Sequence, residues 1–150
     1  MPNWVALLKD QVANPADFTP TVSLVGGAGN TTPVYTTNTG RFSRYGKKVD
    51  VDVLLTGDGG AEGAGTGKIN VLLPQTAGAS QSVGKFPCGY YFNNGVESTL
   101  LGEIAASGTT IALSHGAGFT DSTDSDTPFT GVHQSAIDRE VRLCFNFEID

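Results

Sequence analysis

Residues 40–55, GRFSRYGKKVDVDVLL, and residues 67–74, GKINVLLP, decide the fold class of this chain. In the first stretch, valines from position 49 onwards alternate with aspartates, which makes one side of the segment apolar and the other acidic. The second stretch repeats the alternation through Ile69, Val71 and Leu73. Pro74 ends it, because proline lacks the N–H group that a strand ladder needs. The pattern predicts two strands, a glycine-rich turn and a third strand.

The same period of two residues continues to the end of the chain. Further strands are expected over residues 18–25, 86–92, 99–104, 109–113 and 141–149. With turn signals between them, about eight strands predict an all-β domain, a single antiparallel β-sandwich or jelly roll. A jelly roll and an immunoglobulin-like Greek key both fit this number. The last strand should tie the C-terminal end into the sheet. The expected shared core contains Val51, Val53, Leu55, Val71, Leu143, Phe145 and Phe147.

A single short helix is expected over residues 3–12, where Asn3 can cap it. Its apolar stripe includes Trp4, Leu7 and Leu8 at helical spacing. A helix of about ten residues is not stable alone, so the stripe must dock on another surface. Packing on the chain's own sheet and packing on a neighbouring subunit both remain open. We therefore divide the chain into an N-terminal assembly segment, residues 1–16, and a β-sandwich domain, residues 17–150.

The long irregular segment at residues 115–139 is the second candidate contact surface. Loops of this length in a compact domain are usually functional or disordered. The segment carries Phe119, Phe129 and Val132 among small polar residues. Burial in a subunit interface would remove these apolar side chains from water and supply anchors for binding. The alternative is that they fold back onto their own domain.

The charge and length of the chain narrow the possible classes of function. A chain of 150 residues is the size of one domain, and a net charge of −6 disfavours binding to nucleic acid. Arg41, Arg44, Lys47 and Lys48 are the only basic cluster. On neighbouring strands these side chains should point in different directions, towards solvent or towards an acidic neighbour. No nucleic-acid partner is expected.

The sequence predicts a soluble protein that is made in a cytoplasm. The N-terminus lacks a basic region followed by an uninterrupted apolar run, so no secretory signal is expected. No apolar run approaches the ~18 residues that a membrane-spanning helix needs. Two cysteines, Cys88 and Cys144, do not make a disulfide framework, and both are expected to be free thiols within or beside strands.

Two sequence features suggest ligand sites but do not match the motifs those sites require. The glycine-rich turn ends in GAGTGK, yet Glu62 and Ile69 stand where a phosphate-binding loop needs Gly and Ser or Thr. Asp121, Asp124 and Asp126 lie close together, but no bend glycine or late bidentate glutamate follows at calcium-loop spacing. We expect no metal and no cofactor.

Catalytic chemistry is not expected either. The two histidines, His115 and His133, lack metal-site spacing. Ser114 next to His115 permits a triad on paper, but no nucleophile elbow accompanies it. Tyr90, Tyr91 and Phe92 could stack on a sugar ring. However, alternation sends Tyr91 to one face of its strand and Tyr90 and Phe92 to the other, so these residues are expected to lie mostly in the core. The sequence therefore predicts a protein that is not an enzyme.

The order of residues from position 40 to 74 resembles β-sandwich modules of tailed-bacteriophage virion proteins. The shared order is glycine, aromatic, arginine, aromatic, Gly-Lys, alternating valines, a glycine-rich turn and Gly-x-Ile-x-Val-x-Leu-Pro. Such modules occur as capsid decoration proteins and as domains of tail fibres and tail tips. The resemblance implies a virion location and a homotrimeric decoration (cement) protein that contacts the major capsid protein or another virion protein. The alternative is a tail-tip or fibre-head module that binds a host surface receptor.

Overall fold

The structure is a computed structural model that describes residues 15–31, 35–57, 66–82, 84–93, 96–115, 127–128 and 139–150. Within these ranges all regular structure is β, as the sequence predicts. The strands are β1 (Ala16–Phe18), β2 (Val22–Val25), β3 (Thr37–Tyr45), β4 (Lys48–Gly57), β5 (Lys68–Leu72), β6 (Lys85–Asn93), β7 (Val96–Ile104), β8 (Thr110–His115), β9 (Thr127–Pro128) and β10 (Arg139–Glu148). The helix expected over residues 3–12 lies outside the described residues.

Nine of these strands form one curled antiparallel sheet in the order β1-β3-β4-β10-β6-β7-β8-β5-β2. The two-residue β9 pairs with the end of β8. The third strand of the deciding stretch, β5, does not lie beside β4. It lies between β8 and β2, on the far side of the sheet. The coarse prediction of an antiparallel all-β domain is confirmed, while its division into the two layers of a sandwich stays a prediction.

The prediction of one strand over residues 18–25 is wrong. Pro20 falls in the middle of this segment, and the chain forms β1 and β2 at opposite edges of the sheet. Only residues 19–21 join the two strands, so the edges approach within about 14 Å of each other there. The Asn38 side chain donates to the Pro20 carbonyl at 2.8 Å, and the Leu72 amide donates to the Thr21 carbonyl at 2.8 Å. This short connection requires the sheet to curl.

The inward side chains of the sheet pack into one apolar core. All seven residues expected in the shared core are buried in it, which confirms that prediction. Phe145 is central, because its ring lies 6.4 Å from the ring of Phe86 and 6.4 Å from that of Phe147. On β4, Val49, Val51, Val53 and Leu55 all face this core.

A bulge in β6 decides which aromatic side chains enter the core. The register with β7 shifts between Pro87 and Gly89. Gly89 has a φ of +156° and lies so close to the Arg142 carbonyl oxygen that a Cβ there would collide with it. Beyond the bulge, Tyr91 points into the core while Tyr90 and Phe92 lie on the outer face. The predicted alternation is confirmed, but the expectation that these aromatic residues lie mostly in the core is wrong for Tyr90 and Phe92.

The C-terminal end is held in the sheet, as expected. The Gly78 amide donates to the Glu148 carbonyl at 2.7 Å, and the Glu148 amide donates to Gln81 Oε1 at 2.8 Å. Asp150 Oδ1 accepts a hydrogen bond from the Ala79 amide at 3.0 Å. The loop after β5 therefore holds the end of β10 in place through these three hydrogen bonds.

Truncation of Phe145 to alanine tests the core. We expect Phe145→Ala to lower the free energy of unfolding by about 3–5 kcal/mol, because it removes a ring that packs between two others. Asn146→Ala, at the neighbouring outward position, is the matched control and should change it by less than about 0.5 kcal/mol. Urea unfolding followed by circular dichroism measures both. An unchanged midpoint for Phe145→Ala would contradict the inward assignment of β10.

Candidate functional site

The outer side of the central strands carries alternating charges, and we call it the polar face. The register places side chains of neighbouring strands in rows across it. One row contains Asp17, Arg41, Asp52 and Cys144, and the next contains Thr39, Leu54, Arg142 and Tyr90. The alternation that fills the core also builds this face, because successive strand residues point to opposite sides.

An open groove of about 720 Å³ runs across β1, β3, β4 and β10 between these two rows. We call it the polar groove. Its first wall carries Asp17, Arg41, Asp52 and Cys144, and its second wall carries Thr19, Thr39, Leu54 and Arg142. The groove is also lined by Phe18, Asn38, Gly40, Val53 and Leu143. Its volume falls within the range of small-molecule sites.

The arginines of the groove are only loosely paired. Arg41 Nε lies 4.0 Å from Asp17 Oδ1, and Arg142 Nε lies 3.5 Å from Glu140 Oε1. Both arginine side chains are more than half exposed, so these ion pairs contribute little to stability. Since a guanidinium has five N–H donors, each arginine retains donors that can bind a ligand.

Glu140 is held by a second contact on the polar face. The Tyr90 hydroxyl donates to Glu140 Oε1 at 2.7 Å, and Arg142 lies over the Tyr90 ring at 5.9 Å. The hydrogen bond to Glu140 is the main reason that the pKa of Tyr90 is raised. Tyr90 and Glu140 therefore both lie beside Arg142 at the end of the groove, and the hydrogen bond between them anchors Glu140.

Cys144 is an exposed thiol in the first wall of the groove. A hydrogen bond to Asp52, partial burial and the nearby negative charges of Asp52 and Asp50 raise its pKa. Cys88 is buried in the core, and burial raises its pKa to about 12. Both cysteines are free and lie within strands, as the sequence predicts.

A second notable arrangement lies at the end of the sheet where β4 ends and β10 begins. The Arg139 side chain is only 1 % exposed and lies 5.2 Å from the centroid of the Tyr35 ring. Burial raises the pKa of Tyr35, and the nearby Arg139 charge opposes that shift. A cation over an aromatic face contributes as much as about 2 kcal/mol when desolvated. Gly57 leaves room for Arg139, since a Cβ there would collide with it.

Sequence reasoning missed the buried Arg139. The prediction began the last strand at Val141, whereas β10 begins at Arg139. The alternation of the last strand already indicated its position, because Arg139 is two residues before Val141 and therefore belongs to the same inward face. Because arginine is charged, the prediction placed it at the end of the preceding loop instead of in the strand.

The sequence-predicted contact residues Trp4, Leu7, Leu8, Phe119, Phe129 and Val132 lie outside the described residues. The acidic cluster at residues 121–126 and His133 lie outside them as well. Ser114 and His115 are consecutive on β8, so their side chains point to opposite faces of the sheet. The structure therefore does not bring this pair together.

The basic cluster is divided between local partners, as expected. Lys48 Nζ lies 3.4 Å from Asp50 Oδ1, and Arg44 Nε donates to the Gly46 carbonyl at 2.8 Å.

In the part of the chain that the structure describes, no three His, Cys, Asp or Glu side chains are grouped to hold a metal ion. The same part contains no helix long and apolar enough to cross a membrane.

Comparison of this chain with protein-family models, curated proteins and solved structures gives no match.

Replacing Gly57 tests the packing around the buried arginine. We expect Gly57→Ala to destabilise the fold by about 1–3 kcal/mol, because the added methyl must displace the Arg139 side chain. Gly84→Ala is the matched control, since a Cβ at Gly84 meets nothing within 4 Å. Thermal unfolding measures both variants. Equal melting temperatures for Gly57→Ala and the unaltered protein would contradict the close approach.

Alkylation by the neutral reagent iodoacetamide tests the two thiols. In the folded protein at pH 8 we expect only Cys144 to react, because Cys88 is buried. Asp52→Asn should increase the rate severalfold, since loss of the carboxylate lowers the pKa of Cys144 and increases its thiolate fraction.

Asp17→Asn is the matched control for that experiment, because it removes a charge from the same wall without removing a cause of the Cys144 shift. Its alkylation rate should equal that of the unaltered protein. A rate for Asp52→Asn that does not exceed this control would contradict the contact between Cys144 and Asp52.

Proposed function

We propose that this chain is a non-enzymatic structural protein of a tailed-bacteriophage virion, a capsid decoration (cement) protein that stabilises the shell as a homotrimer. The observation that carries the proposal is the order of residues 40–74, which resembles such virion modules. In the structure this stretch supplies β3, β4 and β5 of an all-β domain. Its partners are sister subunits and the major capsid protein or another virion protein, and its location is the virion after synthesis in the bacterial cytoplasm.

The packing of the domain supports a structural role. The inward faces of the long strands are filled by one apolar core. The two edges of the sheet are short strands of three and four residues, which limits pairing with unrelated chains. An acidic net charge keeps the free protein soluble before assembly. As part of the same proposal, the two halves of the curled sheet act as the layers of a β-sandwich.

The attachment points of the two candidate contact segments also support assembly. The N-terminal segment joins β1 at Ala16, which pairs with Phe42 towards the β3–β4 turn. The segment at residues 115–139 joins β8 and β10 at the opposite end of the sheet. Segments attached at opposite ends can contact two different neighbours, and within the second segment the described residues Thr127 and Pro128 pair with β8. This arrangement suits a protein that bridges the shell and a sister subunit.

The alternative is a tail-tip or fibre-head module that binds a host surface receptor. The polar groove favours it, since an open groove with loosely paired arginines can contact a ligand. The two functions differ in copy number, with hundreds of copies per particle for a decoration protein and a few to a few dozen for a tail tip.

Immunogold electron microscopy of purified particles tests the location. We expect label over the whole head, and label confined to the tail would favour the receptor-binding alternative. Absence from particles would contradict both virion roles.

Deletion of residues 1–14 tests the role of the N-terminal segment. We expect the variant to keep its β circular dichroism spectrum and to bind particles at clearly reduced occupancy, because the stripe of Trp4, Leu7 and Leu8 is lost. Asn146→Ala is the control for surface changes outside this segment. Decoration by the deletion variant at full occupancy would refute the assembly role of the segment.

A further inference from the structure

We infer that the polar groove is a binding site for a small ligand that carries one carboxylate and several hydroxyl groups, the chemistry of an acidic sugar residue. This inference does not depend on the proposed virion role. It rests on the groove between the two rows of the polar face and on the donors and acceptors that line it.

The first argument concerns the arginines. Arg41 and Arg142 lie in opposite walls of the groove. Arg142 is two strand spacings away from Arg41 across the sheet and two residues away along the strand, so their Cα atoms are separated by about 12 Å. Their ion pairs, at 4.0 Å and 3.5 Å, are longer than direct hydrogen bonds. A carboxylate can therefore form the shorter, bidentate pair that a guanidinium prefers. A ligand contacted by both arginines needs oxygen acceptors at both of its ends.

The second argument concerns the acceptors between the arginines. Asp17 and Asp52 lie in the first wall, and Thr19 and Thr39 lie in the second. Carboxylates accept hydrogen bonds from hydroxyl groups, whereas threonine hydroxyls both donate and accept. This combination matches a ligand rich in hydroxyl groups, because each of them is also both donor and acceptor.

The charges of the groove select a single carboxylate over a more highly charged group. The two aspartates in the groove offset the charges of Arg41 and Arg142. A dianionic phosphate or a polyanion would be repelled by Asp17, Asp52 and the acidic net charge of the chain. One carboxylate can pair with one arginine while hydroxyl groups contact the aspartates.

Arg142 also has two neighbours that restrict the positions of its guanidinium without pairing with it closely. Its guanidinium lies over the Tyr90 ring, and Glu140 is anchored by the Tyr90 hydroxyl. A side chain that is oriented before binding loses less conformational entropy when a ligand binds. We therefore assign Arg142 the main contact with the carboxylate, with Arg41 at the other end of the ligand.

Titration of the full chain with D-glucuronate, followed by ¹H–¹⁵N correlation spectra, tests the site. We expect the backbone amides of Thr39, Arg41, Asp52 and Arg142 to shift in a saturable way. D-glucose, which lacks the carboxylate, and glutarate, which has a second carboxylate in place of the ring hydroxyls, should each bind at least about tenfold more weakly. Inorganic phosphate should bind more weakly than glucuronate.

Variants separate specific recognition from general attraction of anions. Arg142→Gln should weaken glucuronate binding by about tenfold or more, and Arg142→Lys should also weaken it, because lysine lacks the planar donor pair. Lys48→Gln removes a positive charge from the same face outside the groove and should leave the affinity unchanged. Thermal unfolding of each variant is measured first. Affinities are compared between variants whose melting temperature equals that of the unaltered protein.

Several outcomes would overturn the inference. The first is that amide shifts are absent or fall outside the groove. The second is that glucose, glutarate or phosphate binds as tightly as glucuronate. The third is that Lys48→Gln and Arg142→Gln lose affinity equally. Binding that survives Arg142→Gln unchanged would also overturn it. None of these results depends on whether the protein is found on a virion.

Discussion

The pairing of β4 with β10 is the interaction on which the rest of the structure depends. The two strands are hydrogen-bonded along their whole length, from Lys48 with Glu148 to Gly57 with Arg139. On the inward side, three valines and one leucine of β4 oppose two phenylalanines, one leucine and one valine of β10, so one ladder places large apolar side chains together. Because a slip of one residue would move all of these side chains into water, the apolar pattern specifies the register. The other strands extend this pair on both sides.

The same register builds the polar face. Every residue that packs inward on β4 and β10 has a neighbour that points outward, so a tightly specified core also specifies the outer rows. Arg41, Asp52 and Cys144 become neighbours although they are far apart in the chain. Exposed ion pairs such as that of Arg41 with Asp17 add little to stability. The outer rows are therefore free to change without loss of the fold, which suits a surface that meets a ligand or another subunit.

The sharpest departure from local pattern occurs between β1 and β2. Residues 18–25 alternate like one strand, yet the chain crosses from one edge of the sheet to the other through three residues. Pro20 cannot donate to a ladder, and its carbonyl instead accepts from the side chain of Asn38. The crossing brings β1 alongside β3, where Asp17 and Thr19 complete the walls of the polar groove. The groove is thus a consequence of the same connection that curls the sheet.

The sequence by itself determined the β class of the fold, the apolar inward residues of β4 and β10, the free cysteines and the alternate directions of Tyr90 and Tyr91. These features follow from a period of two residues, which is a local property of the chain. Only the tertiary structure decided the strand order, the separation of β5 from β4, the burial of Arg139 beside Tyr35 and the meeting of Arg41, Asp52 and Arg142 at one groove. Those features depend on which distant strands become neighbours. Burial of apolar surface over the whole chain decides that, and no local spacing of residues encodes it.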